Sequence, residues 1–142
     1  MKSINKEKVV KRLRESGLKI TPQRLSIIEF LQGNHSHPSA EDIYREILRI
    51  HPSISFTTVY KTLQTLRDLG EIQELRVDPE RAHYDPDTSD HAHAFCRSCS
   101  QISDLEYTGD MPDLVMSLSD GPDGFEVHSV QVHAVGVCGE CR

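Results

Sequence analysis

The chain has 142 residues, 37% hydrophobic and 27% charged, with 16 Lys and Arg against 22 Asp and Glu for a formal net charge of −6. That length holds one ordinary domain or two small ones, and the absence of any run of about 18 apolar residues predicts a cytoplasmic protein with no membrane partner. The charge is uneven: residues 1–76 carry 13 Lys and Arg against 9 Asp and Glu, and residues 77–142 carry 3 against 13, so only the front half is suited to meet phosphates.

The front half reads as helices. Lys6 to Ser16 sets Val9, Val10 and Leu13 at helical spacing, with Gly17 as a stop. Thr21-Pro22 is a cap followed by proline at the first helical position, and Leu25, Ile28 and Leu31 form the stripe behind it. Ser39 opens a third helix, with Asp42 as an approximate capping-box partner and Ile43, Ile47 and Ile50 on one face. Ser55 or Thr57 caps a fourth, which runs to Leu69 with Val59, Leu63 and Leu66 inward and Thr58, Lys61, Thr62 and Gln64 mostly outside. Ile72 to Val77 and Ala82 to Asp85 then read as two strands around the turn Asp78–Arg81. Helices followed by a hairpin describe a winged helix-turn-helix.

The polar, turn-rich stretch Asp85–Asp90 marks a boundary. Beyond it, His91–Phe95 and Gln101–Tyr107 read as strands, Pro112–Leu118 as a short helix, and Phe125–Val137 as an alternating strand. The class is α+β: a winged-helix domain over 1–84, a hinge over 85–90 and a small α/β domain over 91–142.

Two motifs carry chemistry. Cys96-Arg-Ser-Cys99 and Cys138-Gly-Glu-Cys141 use all four cysteines. Two C-x-x-C pairs can complete a tetrahedron of thiolates around Zn²⁺ with no open position, which makes a structural site. A redox pair or an iron–sulfur cluster is the alternative. In a reducing compartment disulfides come after all of these. The second motif is His91-Ala-His93. Residues i and i+2 of a strand share a face, so both imidazoles can reach one ion. Spacing leaves their partners open among Asp85, Asp90, Asp104, His37, His83, His128 and His133. A mixed nitrogen and oxygen set suits Fe²⁺, Mn²⁺, Zn²⁺, Co²⁺ or Ni²⁺. No catalytic motif such as H-E-x-x-H is present, so an enzyme is not expected.

These residues together resemble the ferric uptake regulator family. Gly17-Leu-Lys-Ile-Thr-Pro-Gln-Arg24, His37-Pro-Ser-Ala-Glu-Asp-Ile-Tyr44, Thr58-Val-Tyr-Lys-Thr-Leu63 and His91-Ala-His93 followed by Cys96-x-x-Cys99 are similar to its signatures. The resemblance implies a dimeric, metal-activated repressor, with an N-terminal DNA-binding domain and a C-terminal dimerisation domain. Carried over by position, it implies a regulatory ion, Fe²⁺ or Mn²⁺, held by His37, Asp85, His91, His93 and Asp104. A further site of many family members needs an aspartate and a histidine where this chain has Ala92 and Val130, so that site is expected to be absent. His35, His51, His83, His128 and His133 are then read as ordinary residues.

Asp104 matches the family's peroxide-sensing repressors, in which iron-catalysed oxidation strikes ligand histidines, here His37 and His91 by position. Iron-responsive or other metal-responsive repression remains the alternative. The fourth helix is the candidate reader of the major groove. Tyr60 is placed against a thymine methyl and Lys61 against a guanine edge or phosphate. Thr57, Thr58 and Thr62 are placed near phosphates, and Lys19, by resemblance, near the minor groove. A homodimer predicts a roughly palindromic duplex operator.

Overall fold

The computed structural model describes residues 4–106, 111–118 and 122–142. The chain divides into two compact units, one ending at Ser89 and the other beginning at Asp90.

The first unit contains α1 (Lys6–Glu15), α2 (Pro22–Leu31), α3 (Ala40–Ile50), α4 (Phe56–Asp68) and a hairpin of β1 (Gln73–Leu75) and β2 (His83–Asp85). Each helix starts where a side chain satisfies an orphan backbone N–H. Asn5 accepts from the Lys8 N–H at 3.0 Å, Thr21 from Arg24 at 3.2 Å and Ser55 from Thr58 at 3.2 Å. Ser39 and Asp42 exchange two such bonds, both 3.1 Å, in a full capping box. Val9 and Leu13, Ile27 and Leu31, Ile43 and Ile47, and Val59, Leu63 and Leu66 point one face of each helix into a single core. The antiparallel hairpin, Gln73 opposite Asp85, supplies the wing.

Two details depart from the sequence reading. Ile50, the last residue of α3, is 65% exposed, and Ile54 in the following turn joins the core. Thr62, predicted on the outer face of α4, is fully buried. It lies three residues from Val59 and four from Leu66, inside the helical stripe itself. Its hydroxyl donates to the Thr58 carbonyl at 2.7 Å, which removes the cost of burying it.

The second unit is a three-stranded sheet of order β4–β3–β5, with β3 at Ala92–Cys96, β4 at Ile102–Leu105 and β5 at His133–Gly136, plus α5 at Met111–Ser117. β3 pairs antiparallel with β4 and parallel with β5. Tyr107, the predicted end of the second strand, lies outside the described residues. The strand predicted from Phe125 shortens to β5, because the ladder to β3 runs only from His93 opposite His133 to Cys96 opposite Gly136. Just upstream, the Val132 carbonyl accepts from the His93 N–H at 3.1 Å, and there the pairing ends. The buried apolar residues here are Ala92, Phe95, Cys96 and Ile102, whereas Leu105, Met116, Phe125, Val135 and Val137 are exposed.

Candidate metal centres

The four cysteines converge. β3 ends at Cys96, the turn after it carries Cys99, and the chain leaving β5 brings Cys138 and Cys141 alongside. Sheet register enforces this: the Arg97 N–H donates to the Gly136 carbonyl at 2.9 Å, and the Cys138 N–H donates to the Cys96 sulfur at 3.3 Å. All four Sγ atoms lie within 4.8 Å of one another, and none is in a disulfide. Cys99 Sγ and Cys138 Sγ are 3.9 Å apart. A tetrahedron with Zn–S bonds of about 2.3 Å has edges of about 3.8 Å, so the donors fit Zn²⁺. The sulfurs also compete for charge. The Cys96 thiol is lowered to about 6, first by the Cys138 backbone N–H and then by that of Cys99. The Cys141 thiol is pushed up to about 12 by the sulfurs of Cys138 and then Cys99. The Cys96 thiolate forms readily while Cys99 and Cys141 resist ionisation, a conflict that a bound divalent cation would remove.

The nitrogen and oxygen donors form two groups, one in each unit. In the first unit, His37 and Asp85 are both buried, with Nε2 and Oδ2 3.3 Å apart. Asp85 ends β2, and the Asp87 N–H fixes its Oδ1 at 2.9 Å. The segment before α3 runs beside β2: the Tyr84 N–H donates to the Pro38 carbonyl at 2.9 Å, and Ser39 bridges to His83. His37 itself has φ of 53°. For a side chain that is not glycine this conformation costs about 1–3 kcal/mol and persists only where the surroundings enforce it.

In the second unit, the β3–β4 register sets Asp104 directly opposite His93. Asp104 Oδ1 lies 3.2 Å from His91 Nε2 and 3.6 Å from His93 Nε2, and the two imidazole centroids are 4.3 Å apart. Two imidazoles and a carboxylate thus share one sheet face, a donor set for a borderline divalent ion such as Fe²⁺ or Mn²⁺. His128 and His133 are exposed.

On α4, Thr57, Tyr60 and Lys61 are exposed and Thr58 is half-buried. Tyr60 stacks on Phe56 with centroids 6.2 Å apart, and Phe56 meets Tyr44 edge-on. Lys19 is exposed before α2, and its carbonyl accepts from Arg24 Nη1 at 2.5 Å. Thr62 leaves the DNA-facing set because it lies inside the core.

Sequence reasoning weighed His83 as a metal partner, then read it as ordinary, and passed over Asp78; both are buried. His83 Nδ1 lies 2.7 Å from the His37 carbonyl and Nε2 lies 2.9 Å from Asp78 Oδ2. The signal was available: His83 and Asp85 alternate on β2 as His91, just before β3, and His93, within it, do. Burial pushes the Asp78 carboxyl up, but its hydrogen bonds, led by His83 and then the Glu80 N–H, hold it below the usual carboxylate range.

Comparison with known proteins places the chain in a family. The model of the ferric uptake regulator family matches residues 15–135. The chain is 40% identical over 129 residues to the peroxide operon regulator of Bacillus subtilis (strain 168), covering 91% of this chain and 88% of that one. A structure of the Campylobacter jejuni peroxide stress regulator is 34% identical, with a TM-score of 0.69 over 93% of this chain and 98% of that one. The fold is also shared with the Helicobacter pylori ferric uptake regulator, at 24% identity and a TM-score of 0.78 over 99% of this chain and 97% of that one.

Proposed function

Because the chain belongs to the ferric uptake regulator family, we infer that it is a metal-dependent, dimeric DNA-binding repressor of transcription that responds to hydrogen peroxide. The observation that carries the reading is the pairing of His93 with Asp104 across β3 and β4, beside His91 on the same face. With the buried His37–Asp85 pair of the first unit it makes five donors. One regulatory ion, Fe²⁺ or Mn²⁺, is held by His37, Asp85, His91, His93 and Asp104, and Zn²⁺ by Cys96, Cys99, Cys138 and Cys141. Two carboxylates would balance the charge of the regulatory ion, and the three imidazoles would supply its remaining protein donors. Bound Fe²⁺ supplies the reduction of hydrogen peroxide. By position in the family, His37 and His91 are the ligands that would be oxidised, after which their rings would bind metal poorly and the repressor would leave DNA.

The rest of the molecule supplies the reading head and the dimer. Tyr60 and Lys61 on α4 face a roughly palindromic duplex, with Thr57 and Thr58 near its phosphates and Lys19 near its minor groove. The exposed apolar residues of the second unit, Leu105, Phe125, Val135 and Val137, suit burial against a second copy. Among the described residues no helix is long and apolar enough to cross a membrane.

The test starts from a duplex selected out of a random library with Mn²⁺-loaded protein. Fe²⁺-loaded protein, prepared without oxygen, should lose affinity for this duplex on brief exposure to peroxide. One oxygen atom should appear on a peptide holding His37 or His91, and Mn²⁺-loaded protein should keep both its affinity and its mass. Iron-loaded protein that stays bound with unmodified histidines would make it an iron-responsive repressor instead.

A further inference from the structure

We propose that His83, anchored by Asp78, is the positioning residue for His37 and ties that ligand to the turn of the wing. The proposal rests on the regulatory-metal reading above and deepens it.

The geometry lies entirely within the first unit. His37 adopts the left-handed conformation immediately before a proline. Neither feature favours the other, since a residue preceding proline prefers extended backbone. The carbonyl of His37 accepts from His83 Nδ1 at 2.7 Å. The other ring nitrogen of His83 meets Asp78 Oδ2 at 2.9 Å, and Asp78 Oδ1 accepts the Glu80 N–H at 2.9 Å, inside the turn between β1 and β2. Both ring nitrogens are engaged by oxygen atoms of the first unit. Such a ring cannot also bind metal through a nitrogen. Its buried position therefore does not make it a sixth ligand. It fixes the peptide from which the His37 side chain departs toward Asp85 Oδ2, 3.3 Å from Nε2. Backbone bonds from Tyr84 hold the next carbonyl, Pro38, so His83 supplies the side-chain contact to the His37 carbonyl itself.

Three substitutions separate this role from general support of the fold. His83→Leu removes both hydrogen bonds. His83→Asn places an amide N–H where Nδ1 stood and keeps the bond to the His37 carbonyl. His83→Gln places it where Nε2 stood and keeps the bond to Asp78. In the full-length, zinc-loaded protein, Mn²⁺ affinity is measured by calorimetry, and Co²⁺ absorption reports coordination geometry. His83→Leu should weaken Mn²⁺ binding by about 10–100-fold, the usual range for losing a group that orients a ligand, and should change the Co²⁺ bands. His83→Asn should recover most of the affinity and the wild-type spectrum, and His83→Gln should recover less. Folded His83→Leu with wild-type affinity and spectrum overturns the proposal. So does His83→Gln matching or exceeding His83→Asn, a comparison that stands even where the leucine variant does not fold. Wild-type protein that takes up no Mn²⁺, or His37→Ala that binds it normally, overturns the metal reading itself.

Discussion

The two units solve stability differently. The first closes a core from four helices, with residues such as Leu13, Ile28, Ile47 and Leu63 fully buried. The second buries a handful of apolar residues around Phe95 and leaves Phe125, Val135 and Val137 exposed. Below roughly 70 residues a single core seldom supplies more than about 3–5 kcal/mol. The sheet unit instead gathers Cys96 and Cys99 at the end of β3 beside Cys138 and Cys141 after β5, where the proposed Zn²⁺ would act as a staple. Four packed helices can be held by apolar packing alone, whereas a small sheet with an exposed apolar face has little core of its own.

The sharpest break of this contrast is the loss of one thiolate. Cys96→Ser or Cys138→Ser should remove all bound zinc, which is worth about 10–16 kcal/mol in comparable sites. The sheet unit should then lose its ordered structure, while the helical circular dichroism of the first unit persists. Metal analysis and gel filtration check this, and a variant that retains zinc and dimer contradicts the staple.

A smaller effect is expected at the regulatory donors. Metal coupling between two sites is typically about 5–150-fold in affinity. His37→Ala or Asp85→Ala should abolish that enhancement of DNA binding and leave the dimer intact. Fluorescence anisotropy with and without Mn²⁺ reads the first, and gel filtration the second.

Within α4 the contrast between surface and core can be made in neighbouring residues. Lys61→Ala should weaken DNA binding and lower the salt slope by about 1, with little change in stability. Thr62→Ala should cost about 1–2 kcal/mol of unfolding free energy, measured by urea denaturation, with no change in the salt slope. Equal effects of the two on the slope would place Thr62 at the DNA after all.

The smallest effect is a pH dependence at Asp78. Its folded-state carboxyl lies below the ordinary value of about 3.8. A depressed acid stabilises the fold above its unfolded-chain value, and that contribution is lost as pH falls through the folded one. Asp78→Asn should therefore flatten the decline in melting temperature below about pH 4 and change little in its slope above pH 6. An unchanged acid limb would remove Asp78 from that balance.

How much was legible beforehand follows from the range of each interaction. Caps at Ser39 and Ser55, the apolar stripes of the helices, and the hairpin around Asp78–Arg81 are local, and spacing reveals them. The two C-x-x-C pairs and the His91-x-His93 alternation are also short-range patterns, which is why they pointed to metal. Thr62 was misplaced because residue type was weighed above helical phase. Val127 to Gln131 alternate like a strand, but the ladder with β3 begins only at His133.

The amino-acid sequence by itself determined the helices, the wing, the two C-x-x-C pairs and the His91-x-His93 alternation, because period, capping and motif spacing act over a few residues. Only the tertiary structure decided that Asp104 stands opposite His93, that the Cys96 sulfur meets the Cys138 N–H, and that His83 spans from Asp78 to the carbonyl of His37. Strand register and loop packing join residues far apart in the chain, and such meetings depend on the whole set of buried contacts, not on any local pattern.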